Sequence, residues 1–266
     1  MKILKQTLPY LNQQTNIFYF LPDQGVGPKA TFAIFTHGYT ADKGSLLNWP
    51  IRLTEVGIPC ALFDLPGHYL GNFSEVEDFD HFKNHAHELF LEAFIGLKKA
   101  FLEEFPLDEH ALSSPEFKLV LGGHSLGSML ALKAMMLEEF RDVTKLAIGV
   151  GLGKAPSDIV HLFDTPFYKS TLKIREQMVS PALCPDNVFP WIKDEKNNLQ
   201  VSGCMIHLIS GEDDLVVGSD GMERLAASLK ERNNIVTVEK PSKLPHHEPQ
   251  LAAAYVKKFL KKIAWI

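Results

Sequence analysis

The chain has 266 residues, 45% of them hydrophobic, and a formal net charge of −5. That is enough material for one large α/β core, and the mild acidity disfavours nucleic acid or an anionic membrane as the main partner. No apolar run reaches the length of a membrane span, no signal peptide is expected at Met1–Gln6, and Cys60, Cys184 and Cys204 form neither a metal pattern nor a disulfide framework, so a cytoplasmic protein is expected.

Residues 7–20 read as two short strands around the polar turn Asn12–Asn16, followed by a Gly/Pro loop at 22–29. Residues 30–36 are a continuous apolar run, as expected of a strand covered on both faces. His37-Gly38-Tyr39 follows at once, and a loop in that place can offer a backbone N–H to a developing oxyanion, with Tyr39 as the donor. His37 is expected to organise that loop by hydrogen bonding. A helical pattern at 44–56 leads to a second apolar run at 58–64. The pattern at 79–105 is helical again; His81 and His85 sit four apart on it, but no third ligand accompanies them and a solvated face is expected.

The run 117–122 ends in Gly123-His124-Ser125-Leu126-Gly127, and a helical segment over 126–140 follows. A serine between two glycines on a strand-to-helix turn is the arrangement of an exposed nucleophile, with the Leu126 N–H aimed at the oxyanion. Strand-like runs recur at 145–151, 204–210 and 235–239, and helical patterns at 220–232 and 249–262. Strands alternating with helices predict an α/β fold with a mostly parallel central sheet and helices on both faces. Residues 154–200, with five prolines and many aromatics, break the rhythm and read as a small lid insertion within a single domain; an ordinary surface excursion is the alternative. Trp49, Trp191, Phe163, Phe167 and Phe189 either line an acyl pocket or pack the core. Lys257, Lys258, Lys261 and Lys262 read as the wet face of the last helix.

Serine needs a base, an orienting acid and an oxyanion pocket. The acid is sought in Gly211-Glu212-Asp213-Asp214, just beyond a strand: Asp214 is favoured, with Asp213 and then Glu212 as alternatives. The base is sought in His246-His247-Glu248-Pro249. His247, which directly precedes the expected helix start, is favoured, and His246 is the alternative base.

These motifs together resemble the α/β-hydrolase fold superfamily over nearly the whole chain. His37-Gly38-Tyr39-Thr40-Ala41-Asp42-Lys43 resembles the oxyanion loop of cinnamoyl- and feruloyl-type esterases, and Phe63-Asp64-Leu65-Pro66-Gly67-His68 is similar to the Asp-x-x-Gly-His-Gly-x-Ser turn after the next strand. Tyr69 stands where that pattern has its second glycine, and the serine is absent from its usual place, so a differently shaped loop is expected. The resemblance implies a serine carboxylesterase acting on a small-molecule ester of short-to-medium acyl length through Ser125, Asp214 and His247, with no metal and no organic cofactor. Thioesters, amides and lipids stay open as substrates, a homodimer stays open, and a small-ligand binding protein or an acyltransferase on the same fold is the alternative function.

Overall fold

The computed structural model describes residues 1–26, 30–154 and 165–266. Among them, eight strands form one sheet in the order β1-β2-β4-β3-β5-β6-β7-β8. The strands are β1 (Lys2–Tyr10), β2 (Gln13–Leu21), β3 (Thr31–Thr36), β4 (Cys60–Phe63), β5 (Lys118–His124), β6 (Thr144–Val150), β7 (Met205–Ile209) and β8 (Ile235–Glu239). The pairs β1–β2 and β2–β4 are antiparallel; the others are parallel.

The helices are α1 (Asn48–Thr54), α2 (Phe79–His85), α3 (Leu89–Glu104), α4 (Glu109–Leu112), α5 (Leu126–Ala134), α6 (Pro166–Ser170), α7 (Leu172–Glu176), α8 (Pro185–Asn198), α9 (Gly221–Lys230) and α10 (Ala253–Lys262). Successive strand side chains point to opposite faces, and the apolar strands divide accordingly. Phe32, Ile34, Leu119 and Leu121 join the core beneath α3, α5 and α9. Ala33, Phe35, Val120 and Ile148 join the core beneath α1 and α10. A continuous apolar run is what a strand buried on both faces requires, and this explains why β3 to β7 carry one.

The first hairpin differs from expectation. Its strands are nine residues each, and the turn is only Leu11 and Asn12, with Leu11 at φ 54°. The polar stretch that suggested a turn is the start of β2: Thr15 points inward, and its hydroxyl donates to the Asp64 carbonyl at 2.7 Å. The expected helix over 79–105 is α2 and α3 with a 3-10 turn at Ala86–Glu88 between them. His81 and His85 stack with ring centroids 4.5 Å apart, and His85 pairs with Glu88; among the described residues no cluster of three or more His, Cys, Asp or Glu side chains is placed to hold a metal ion. Lys258, Lys261 and Lys262 are exposed on α10. No helix among the described residues is long and apolar enough to cross a membrane.

Candidate active site

Ser125, Tyr39, Asp214 and His246 all lie just past the C-terminal ends of strands, at one edge of the sheet, which is where open α/β sheets place their crevices. Ser125 sits between β5 and α5 with φ 50° and ψ −111°, a conformation L-residues rarely adopt. The flanking glycines make this turn sterically feasible. A Cβ on Gly123 would lie 2.5 Å from the Thr36 carbonyl oxygen, and one on Gly127 would lie 2.4 Å from the same atom and 2.6 Å from the His37 carbonyl oxygen. All three are backbone contacts that cannot rotate away. The turn is further tied to β6: the Ser125 N–H donates to the Val150 carbonyl at 2.8 Å, and the Ser128 hydroxyl accepts the Val150 N–H at 2.9 Å. Leu126 opens α5, where a first-turn N–H has no partner within the helix.

Of the three acidic candidates Glu212, Asp213 and Asp214, Asp214 is the one that meets a histidine. It is 3% exposed, and its Oδ2 lies 3.0 Å from Nδ1 of His246. Its Oδ1 accepts the N–H groups of Val216 and Val217, both at 3.0 Å, and the Ser210 hydroxyl donates to Oδ2 at 3.2 Å. Burial alone would raise its pKa, but the His246 hydrogen bond and charge, with the Val217 and Ser210 bonds, outweigh it and hold the carboxyl below the usual range. Asp213 has a different task. Its Oδ1 accepts the Leu244 N–H at 2.8 Å, which fastens the acid loop to the histidine loop.

The structure brings His246, not the favoured His247, against Asp214. The Glu248 N–H donates to the Pro245 carbonyl at 3.0 Å, so the two histidines are the central pair of one tight turn. Their rings stand nearly perpendicular, 88° apart. The His246 side chain is 9% exposed, whereas His247 is exposed. The helical turn begins at Pro249, as sequence suggested, but proximity to a helix start does not decide which neighbour points inward.

The loop expected to offer an oxyanion donor follows β3. A Cβ on Gly38 would lie 3.3 Å from Cβ of Ser125, so the loop passes directly beside that serine. His37 is fully buried; its Nδ1 lies 2.8 Å from the Gly38 carbonyl, and its Nε2 accepts the Leu65 N–H at 2.9 Å. These bonds assign the neutral Nδ1–H tautomer and give His37 the loop-organising place expected of it. Asp64, also buried, accepts Lys43 N–H at 2.7 Å and Lys43 Nζ at 2.5 Å. In the loop after β4, Gly71 packs against Asp64, where a Cβ would lie 2.3 Å from Oδ1.

Several buried histidines are held neutral here. Burial, first of all, lowers His37 to about 4 and His68 to about 3, and on β7 it lowers His207 to about 4. Because these folded-state values lie below the unfolded value of about 6.5, the unfolded chain binds more protons between the two, and stability rises with pH there. The contribution is complete above about pH 6.5 and is lost as pH falls toward 4. Thermal melts are therefore expected to show a Tm several degrees lower at pH 5 than at pH 7; a flat Tm across that interval would contradict it.

A cavity of about 130 Å³ is lined by Ser125, His246, Tyr39, Phe189, Ile192 and Arg175, with His124 and His247 also at its wall. Phe189, Ile192 and Arg175 come from the described part of 154–200, which is helical and carries α6, α7 and α8. Sequence reasoning missed Arg175 and Ile192, since nothing local marks them. Of the aromatic candidates, Phe189 lines the cavity. Trp49 is fully buried against Phe35 and donates to the Pro249 carbonyl at 2.8 Å, and Trp191 packs on Phe79 and Phe82, so both belong to the core. Phe163 lies outside the described residues, as does the side chain of Phe167.

Residues 66–150, from the loop after β4 to the end of β6, match the model of the class 3 lipase family. No curated protein matches the chain. Solved structures of similar fold include a lipase in its open form, 14% identical over 99% of both chains with a TM-score of 0.63. The epoxide hydrolase of Vigna radiata is 12% identical over 98% of both chains with a TM-score of 0.60. Est1E from Butyrivibrio proteoclasticus is 14% identical over 98% of this chain and 99% of its own, with a TM-score of 0.52.

Proposed function

From its α/β-hydrolase fold and the constellation at its sheet edge, we propose that the chain is a serine hydrolase of carboxylic esters, with Ser125 as nucleophile, His246 as base and Asp214 as orienting acid. The observation that carries this reading is the Asp214–His246 pair at 3.0 Å, with His246 and a serine in a strained elbow lining the same cavity. In this mechanism His246 takes the Ser125 proton at Nε2 as the oxygen attacks the ester carbonyl. Asp214 keeps the proton on Nδ1 and steadies the imidazolium. The Tyr39 and Leu126 N–H groups receive the oxyanion, the alcohol leaves with the proton from His246, and water repeats the sequence to free the acyl group. A preorganised pair of backbone donors matters because each is worth about 10²–10³ in rate.

A substrate of short-to-medium acyl length fits a cavity of about 130 Å³ walled by Phe189 and Ile192. The expected result with p-nitrophenyl esters from acetate to palmitate is saturable turnover that peaks at short acyl groups. A strong preference for long-chain emulsions would sink the short-acyl reading. Absence of turnover across the series would favour a binding protein, and transfer of the acyl group to added alcohols would favour an acyltransferase.

A further inference from the structure

The oxyanion loop contains a residue in an unusual conformation. Thr40 has φ 59°, and the Ala41 N–H donates to the Gly38 carbonyl at 3.2 Å, so Gly38–Ala41 is a tight turn with its third residue left-handed. That position favours glycine or asparagine and is strained for a β-branched side chain. A strained residue persists only where its surroundings over-determine it, and such residues collect at functional sites. The surroundings here are specific. The Thr40 hydroxyl donates to the Tyr39 carbonyl at 2.7 Å and accepts from Nη1 of Arg175 at 2.9 Å. Arg175 stands on α7, and its Nε donates to Thr171 at 3.1 Å, which orients the guanidinium.

The neighbouring residue is held from the same side. The Tyr39 hydroxyl donates to the Leu183 carbonyl at 2.7 Å, and its ring meets Phe189 of α8 edge-on at 5.3 Å. The other side of the loop is fixed by the sheet edge, through His37 to Leu65 and Lys43 to Asp64. The two residues flanking the donor peptide's exit are therefore fastened to α7, to the segment before α8 and to α8 itself.

We propose that Arg175 and Thr40 form a clasp through which the 165–200 segment sets the oxyanion loop, Arg175 being a positioning residue for the Tyr39 N–H. The segment then does more than wall the cavity: the loop is competent when α7 lies against it, and withdrawing α7 releases the turn. Because backbone donors act by being already in place, the clasp bears on the transition state and not on ground-state binding. The inference rests on the serine-hydrolase reading for its kinetic consequence, but not for its structural one.

The test compares Arg175→Ala, Thr40→Val, Thr40→Ser and the Arg175→Ala/Thr40→Val double variant. Arg175→Ala and Thr40→Val are each expected to lower kcat about 10- to 100-fold, less than loss of a donor outright, with KM within about threefold. Affinity for an alkyl boronic acid, which forms a tetrahedral adduct on a nucleophilic serine, should fall by the same factor, whereas affinity for the carboxylate product should not. Thr40→Ser keeps the hydroxyl and should recover most of what Thr40→Val loses, and the double variant should be no worse than the poorer single one. Amide hydrogen exchange across residues 38–42 should quicken in Arg175→Ala and in Thr40→Val. Unchanged kcat and unchanged exchange in both would overturn the clasp, as would a loss confined to KM. If the wild type hydrolyses no ester, the functional reading falls, and the exchange measurement alone decides the clasp.

Discussion

Replacing His246 by alanine is expected to lower kcat on a soluble ester by on the order of 10⁶, while His247→Ala leaves it within about tenfold. The two residues are adjacent, equal in chemistry and both at the cavity, so the contrast isolates the effect of direction. His246 alone holds its Nδ1 against Asp214, at 3.0 Å, and its ring is the less exposed of the two. Its loss should not unfold the protein: Asp214 keeps the Val216 and Val217 N–H groups and the Ser210 hydroxyl, so one of its hydrogen-bond partners is lost and the others remain. A destabilisation of about 1–3 kcal/mol is the scale for one lost partner to a buried charge. Steady-state kinetics on both variants, with thermal melts beside them, would read the two effects apart. Equal losses in both, or the larger loss in His247→Ala, would reassign the base.

That histidine also marks where the sequence stops being informative. The strands were legible because burial on both faces forces a continuous apolar run, and the elbow was legible because Gly123 and Gly127 are needed for clearance against the Thr36 and His37 carbonyls. Asp214 could be placed because it lies a short loop beyond β7. Asp213 and Asp214 differ only in which way the loop turns them, as do His246 and His247, and those directions are set by bonds between the two loops, Asp213 to Leu244 and Glu212 N–H to the Pro241 carbonyl. No local pattern encodes such a bond. The same holds for Trp49, whose indole reaches a carbonyl 200 positions away, and for Arg175, whose partner Thr40 is 135 positions away. The loop after β4 shows the same limit: spacing marks Tyr69 as a departure from the esterase pattern, but not that Gly71 is the glycine packed close to the Asp64 carboxylate.

Ser125→Ala is expected to lower kcat by on the order of 10⁶ without loss of fold, and Ser125→Gly to be equally inactive yet more stable than the wild type. Both remove the hydroxyl, and no other described side chain replaces it at the elbow. They differ in backbone freedom. At φ 50° and ψ −111° a Cβ is disfavoured, at a cost of order 1–3 kcal/mol. Alanine keeps that strain. Glycine relieves it, offset by the roughly 0.5–1 kcal/mol that a more flexible unfolded chain costs. A net gain of about 1 kcal/mol would appear as a Tm a few degrees higher in Ser125→Gly. The wild type would then be holding strain in its nucleophile, with the turn kept in place by the Val150 carbonyl, Ser128 and the clearance at Gly123 and Gly127. Near wild-type turnover in a pure Ser125→Ala preparation would remove Ser125 from the mechanism. A Tm in Ser125→Gly at or below that of Ser125→Ala would leave the nucleophile in place but show that the elbow carries no strain.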